Sequence, residues 1–361
     1  MKFSVWVQHS LLLAAVEVST AMATATSTGL PIYNVPEFAL ADLASLKQTD
    51  QLKQILGQTG LFAIRVPLRS QTTMVDPLQQ LCPYSQSLAE GSIPGSDHVL
   101  LADGITTRST IATASHGTHS PLSLPQDEII SALVSHRDLN LEKKDVVKEV
   151  RHLEETRDIV SMAVTDGFLP SLDHLLQKSN TNNEVPLLTK SNGMIYTSMQ
   201  EIVEDAVHLE HFHIYDKAHN SIGVASAPSP DTSSAHALDW HTDAGLFLAF
   251  LPASSCDNTN AGRTAIDDDS FRVMVPSSTY SNNASAKEHI ARFPTANSNE
   301  MIVAIMLGTG AEHWLDVSLS AEGSTEKSLQ LRATKHSVKM RPGHKRVWYG
   351  KSKSHNITFI H

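Results

Sequence analysis

The sequence predicts a mixed α+β fold in which a mainly helical N-terminal part packs against a β-rich C-terminal half of sandwich or barrel type. Three observations predict it. Apolar residues at helical spacing are concentrated ahead of residue 180. Short β-type runs recur from about residue 190 onward. Loops rich in Ser, Asn, Pro and Gly separate those runs, and no repeat of fixed period is visible.

The elements justify this in order. Residues 1–23 carry Lys2, an apolar stretch from Leu11 to Val16 and a small-x-small site at Ala21-Met22-Ala23. That is the layout of a secretory leader, and the stretch is too short for a spanning helix. The expected location is the secretory pathway or outside the cell, with a retained leader on a cytoplasmic protein as the alternative. The sequons Asn283-Ala284-Ser285 and Asn356-Ile357-Thr358 are compatible with secretion. Pro31 to Pro36 reads as extended. Leu43, Leu46, Leu52 and Ile55 are spaced for a helix that Gly57 and Gly60 stop, and Leu61 to Val66 reads as a strand. Residues 84–125 read as mainly irregular.

A helical region over 126–178 follows, with Val146, Val150, Leu153, Val160 and Val164 at helical spacing, Gly167 as a stop, and a second helix over Leu172 to Gln177. Strands are expected at Met194–Tyr196, Val207–Tyr215, Leu246–Leu251, Phe271–Val275, Met301–Met306, Leu329–Ala333, Ser337–Met340 and Arg346–Tyr349, with loops at 217–235 and 276–299. The organisation read from this is a leader at 1–23, a mainly helical part at 24–185 and a β-rich catalytic part at 186–361, with 24–361 forming one structural unit.

The chain has 361 residues, 41% of them hydrophobic, which is enough for a full core. The formal charge of -10 argues against nucleic acid or an anionic membrane as the main partner. Cys82 and Cys256 are the two cysteines; with no CxxC, neither a zinc knuckle nor a thioredoxin-like site is expected. A disulfide and two buried thiols both remain open.

Among the 19 histidines, spacing singles out few. In Asp239-Trp240-His241-Thr242-Asp243-Ala244-Gly245-Leu246, a strand would turn His241 and Asp243 to one side, where both can hold one ion. His336 offers a second imidazole at a strand-like position, with His344 and His355 as competitors. His344 follows Pro342-Gly343, which reads as a turn. Two imidazoles and one carboxylate on one face of a metal leave the opposite positions open, as in the facial triad of non-haem Fe(II) oxygenases. Arg346, ten residues beyond His336, can grip a carboxylate through a two-pronged hydrogen-bond pair.

An extended-helix-Gly-strand opening, His-x-Asp-x-Gly-Leu, a strand histidine and an arginine ten residues on together resemble the 2-oxoglutarate and Fe(II)-dependent dioxygenases of the isopenicillin N synthase-like group. The likeness covers roughly residues 31–65 and 205–350. It implies a double-stranded β-helix (jelly-roll) core. It also implies His241, Asp243 and His336 as Fe(II) ligands, Arg346 as the 2-oxoglutarate arginine, and Tyr215 as a tyrosine that hydrogen-bonds the co-substrate. By alternation His211 and His213 share the face of Tyr215.

The expected activity is hydroxylation or desaturation of a small organic molecule, coupled to decarboxylation of 2-oxoglutarate, with ascorbate as a possible reductant. Three features depart from the group. Trp348 stands two residues after the arginine, where a serine is usual, the spacing from Asp243 to His336 requires an insertion within 255–300, and the given sequence runs to His361, soon after the arginine, with the closing C-terminal helix common in the group expected to be missing or replaced. A jelly-roll protein that binds without turnover and a zinc-dependent hydrolase are the alternatives.

Overall fold

The computed structural model describes residues 29–68, 78, 82, 96–116, 156–179, 187–189, 193, 195–218, 236–256, 269–277, 286–297, 299–315 and 329–355. The leader, both sequons, Val146, Val150 and Leu153 lie outside the described residues.

The chain is built mainly of strands in two sheets. The N-terminal strands are β1 (Ile32–Asn34), β2 (Glu37–Ala39), β3 (Leu61–Pro67), β4 (Ser96–Leu100) and β5 (Thr106–His116), followed by the small pair β6 (Leu188–Thr189) and β7 (Ile195–Tyr196). Eight more follow: β8 (Val207–Lys217), β9 (Leu238–His241), β10 (Phe247–Ser255), β11 (Phe271–Pro276), β12 (Ala286–Arg292), β13 (Glu300–Leu307), β14 (His336–Val338) and β15 (Lys345–His355). The larger sheet has the order β2-β3-β13-β10-β15-β8-β5-β4, and the smaller one β1-β12-β11-β14-β9. From β8 to β15 the chain passes back and forth between the two sheets, which is how a jelly roll wraps.

The central strands of the large sheet are buried on both faces. Its inner face meets the small sheet through Phe250, Phe271, Phe293, Val273 and Met306. Its outer face is covered by helices α1 (Leu40–Ala44), α2 (Thr49–Gln58), α3 (Leu169–Ser179) and α4 (Met199–Asp205), packed on Phe62, Phe247, Ile305 and Tyr349. Burial on both sides explains why β3, β10 and β13 read as continuous apolar runs rather than as alternating ones.

Helix α3 is entered from helical residues 156–162 through a π turn at Ala163–Phe168. Gly167, expected to stop the helix, lies inside that turn. Pro170 lacks the N–H that a regular α-helix would need there, which favours the wider turn. A Cβ on Gly167 would meet Leu40 Cδ1 at 2.7 Å, so the glycine admits α1.

Four further expectations are corrected. Residues 84–125 are not mainly irregular where described, because β4 and β5 form a hairpin. Its turn is an Asp-Gly pair: Asp103 accepts from the N–H of Thr106 at 2.9 Å and from its hydroxyl at 2.6 Å, and Gly104 takes φ 70°. The loop expected at 276–299 contains β12, whose only buried residues are Ile290 and Ala291, too few to show alternation. Leu329–Ala333 joins no described strand; Arg332 N–H donates to Leu56 O instead, and Ala333 N–H to Glu312. Helix α2 continues through Gly57 to Gln58.

The two cysteines are joined: Cys82 and Cys256 form a disulfide across 174 residues of sequence. No helix among the described residues is long and apolar enough to cross a membrane.

Candidate metal centre

His241 ends β9 and His336 begins β14, and the two are cross-strand partners in the small sheet. Their ring centroids are 4.2 Å apart. Asp243 lies two residues beyond His241, past the end of the strand, so a turn rather than strand alternation brings it in. That turn is pinned from the far side by the short helix α5 (Thr309–Trp314): Thr309 N–H donates to Asp243 O at 2.8 Å and Gly310 N–H to Gly245 O at 3.1 Å. Gly308 makes the approach possible, since a Cβ there would stand 2.1 Å from Gly245 O.

One donor atom from each of His241, Asp243 and His336 lies within 4.8 Å of the others, the only such cluster of three among the described residues. His241 Nε2 is 3.8 Å from Asp243 Oδ1. Both imidazoles are oriented through their other nitrogen. His241 Nδ1 is 2.7 Å from Asp239 O, and His336 Nδ1 is 3.1 Å from Thr334 O. A carbonyl can only accept, so each Nδ1 carries a proton, and Nε2 is the nitrogen that the neutral ring offers to an ion. Burial holds the His336 imidazole below its ordinary range, opposed by the Asp243 charge; it packs on Phe271 with ring centroids 5.4 Å apart. The site is half open, because the side chains of His241 and Asp243 are 39% and 32% exposed. His344 stands just ahead of β15, and the His355 backbone pairs with Val207 at the far end of that strand. Neither belongs to the cluster.

The three side chains border a cavity of about 450 Å³ between the sheets. Arg346 enters it from β15, cross-strand from Tyr215 on β8. Its Cζ lies 5.9 Å from the Tyr215 ring centroid. Burial raises the Tyr215 pKa, opposed by the charges of Arg108 and Arg346. His211 and His213 also line the cavity rather than the outer surface. Burial pushes His213 well below the ordinary imidazole range, with His211 and Arg108 adding to it, and its Nδ1 is 2.8 Å from the Thr110 hydroxyl. The indole of Trp348 stacks on His213 at 5.0 Å; a Cβ on Gly350 would stand 2.3 Å from it, so the missing side chain there gives the indole its room.

Sequence reasoning missed Arg108 and Thr110, which come from the stretch read as irregular. The signal was present: Asp103-Gly104 followed by a run rich in Thr and Ile has the make-up of a hairpin turn and a strand.

No protein-family model and no curated protein sequence matches the chain. Solved structures do. The rice dioxygenase for auxin oxidation is 12% identical, with 89% of this chain and 83% of that one covered and a TM-score of 0.47. Dioxygenase for auxin oxidation 1 from Arabidopsis thaliana, in its 2-oxoglutarate complex, is 11% identical over 90% and 95% of the two chains, with a TM-score of 0.47. A 2OG-Fe(II) oxygenase family protein from Caulobacter crescentus is 9% identical over 89% and 86%, with a TM-score of 0.45. The structural neighbours thus include a dioxygenase in complex with 2-oxoglutarate and a 2OG-Fe(II) oxygenase family protein.

Proposed function

We propose that the protein is a non-haem Fe(II), 2-oxoglutarate-dependent oxygenase with a double-stranded β-helix core, which hydroxylates or desaturates a small organic molecule. The observation that carries this reading is the cluster of His241, Asp243 and His336 donor atoms on a cavity that also holds Arg346. The donor set fits the ion: two imidazoles oriented through Nδ1 and one carboxylate suit Fe(II) and leave its other positions to ligands. Bound Fe(II) would supply dioxygen activation coupled to decarboxylation of the keto acid.

The chain's own groups have simpler tasks. His241, Asp243 and His336 hold the ion. Arg346 grips the far carboxylate of 2-oxoglutarate in a paired, charge-assisted contact. Tyr215, un-ionised because burial raises its pKa, offers a hydroxyl to the same molecule. Phe250, Phe271 and Met306 keep that part of the cavity apolar and limit water. The Cys82–Cys256 disulfide supports passage through an oxidising compartment, in line with the leader-like residues 1–23.

One observation favours a second reading, a jelly-roll protein that binds but does not turn over: Trp348 stands where the group has a serine hydroxyl. Succinate formation from 2-oxoglutarate with Fe(II) and ascorbate decides between the two. The oxygenase reading expects it in the wild type and at background in His241→Ala. Metal bound without succinate selects the binder, and bound zinc with no keto-acid turnover selects a zinc site.

A further inference from the structure

Arg108, Tyr215 and Arg346 form one row across three neighbouring strands, with Tyr215 the cross-strand partner of both arginines. At the usual strand spacing the two arginine backbones stand about 10 Å apart, on opposite sides of the phenol. Arg108 adjoins Tyr215 from one side, and Arg346 sits over its ring from the other, with Cζ 5.9 Å from the centroid. Arg108 faces the cavity, forms no ion pair among the described residues, and its buried Nε has no hydrogen-bond partner there. Asp97, on the exposed edge strand β4, also lines the cavity and forms no ion pair with Arg108.

A half-buried guanidinium that faces a cavity is placed to meet an anion in a charge-assisted contact. The far carboxylate of one keto acid, gripped by Arg346, leaves Arg108 uncompensated on the other side of the ring. Thr110, the next inward-facing residue of β5, supplies a hydroxyl beside it. The aromatic wall of Phe250, Phe271 and Trp348 suits an apolar body attached to the anion.

We propose that Arg108, with the Thr110 hydroxyl beside it, forms a second anion subsite, separate from Arg346, which takes the carboxylate of the molecule to be oxidised; the substrate class is then a small organic acid with an apolar body. The assignment of this acid as substrate rests on the oxygenase reading, whereas the subsite itself does not.

The test uses the full chain loaded with Mn(II) and 2-oxoglutarate, with phenylpropionate and its uncharged twin phenylpropionamide as probes in calorimetry. The acid is expected to bind about tenfold more tightly than the amide, the scale of a charge-assisted hydrogen-bond pair. Arg108→Gln should erase that difference and leave 2-oxoglutarate affinity within about twofold of wild type, whereas Arg346→Gln should weaken 2-oxoglutarate and keep the acid preference. Arg108→Lys, which keeps the charge, should retain part of the preference and controls for folding. Equal binding of acid and amide to wild type, no binding of the acid, or a preference that survives Arg108→Gln overturns the subsite. So does a loss of 2-oxoglutarate binding in Arg108→Gln as large as in Arg346→Gln. A wild type that binds the acid through Arg108 but never 2-oxoglutarate overturns the oxygenase reading and leaves the subsite standing.

Discussion

On the outer face of β8, Glu210 is wholly buried between Arg157, at 2.8 Å, and Lys351, at 3.0 Å. One residue along, on the inner face, His211 borders open space, and His213 and Tyr215 follow it into the cavity. Both faces of β8 therefore carry buried polar side chains. The outer ones are spent on one another, tying the helical residue Arg157 to β8 and β15. The inner ones point at a volume large enough for small molecules. The contrast teaches how to read a buried polar group: a charge closed in by opposite charges holds the fold together, and one that faces a cavity is placed for a ligand.

Three substitutions can break or sharpen that contrast. The largest effect is expected at Asp243. Asp243→Ala should lower Mn(II) affinity by more than the roughly 10–100-fold that follows loss of an outer partner of a metal ligand, and should leave the thermal midpoint of the metal-free protein nearly unchanged. Calorimetry and thermal melts check both halves; a collapsed fold would mean that the inner face is structural too.

Glu210→Ala should do the reverse. It leaves two cations buried without their carboxylate and should cost about 3–5 kcal/mol in urea unfolding. Mn(II) affinity below the transition should stay at the wild-type level. A stable variant with weakened metal binding would erase the proposed division between the faces.

Asp103→Asn tests a smaller pair at the β4–β5 turn. Burial pushes the Asp103 carboxyl up, but its hydrogen bonds from Thr106 and Ile105 and the neighbouring Lys217 bring it to a net value below the ordinary range. Folding therefore favours the ionised form. That stability is complete above the ordinary carboxylate value and is lost as pH falls through the lower, folded value. The variant should be less stable than wild type by roughly 2–3 kcal/mol near neutral pH, with the gap closing in acid. Denaturant melts across a pH series measure it, and a gap independent of pH would rule out the ionised carboxyl as its cause.

Much of this architecture was legible in the chain. Long apolar runs such as Met301–Met306 can only be buried, and they mark β13 and its neighbours. His241 and Asp243 are close in sequence and so close in space whatever the fold. The hairpin of β4 and β5 was obscured because Thr and Ser serve loops and strands alike, and its Asp-Gly turn was outweighed by composition. Strand β12 was hidden because only two of its residues are buried.

Local sequence, then, determined the apolar strands, the α2 segment and the His-x-Asp pair, because propensity and periodicity act over a few residues. Only the tertiary structure decided that His336 stands across from His241, that the backbone of α5 pins the Asp243 turn, and that Arg108 and Arg346 flank one tyrosine. Those relations depend on strand register and sheet order, set by packing between segments far apart in the chain, which no local pattern encodes.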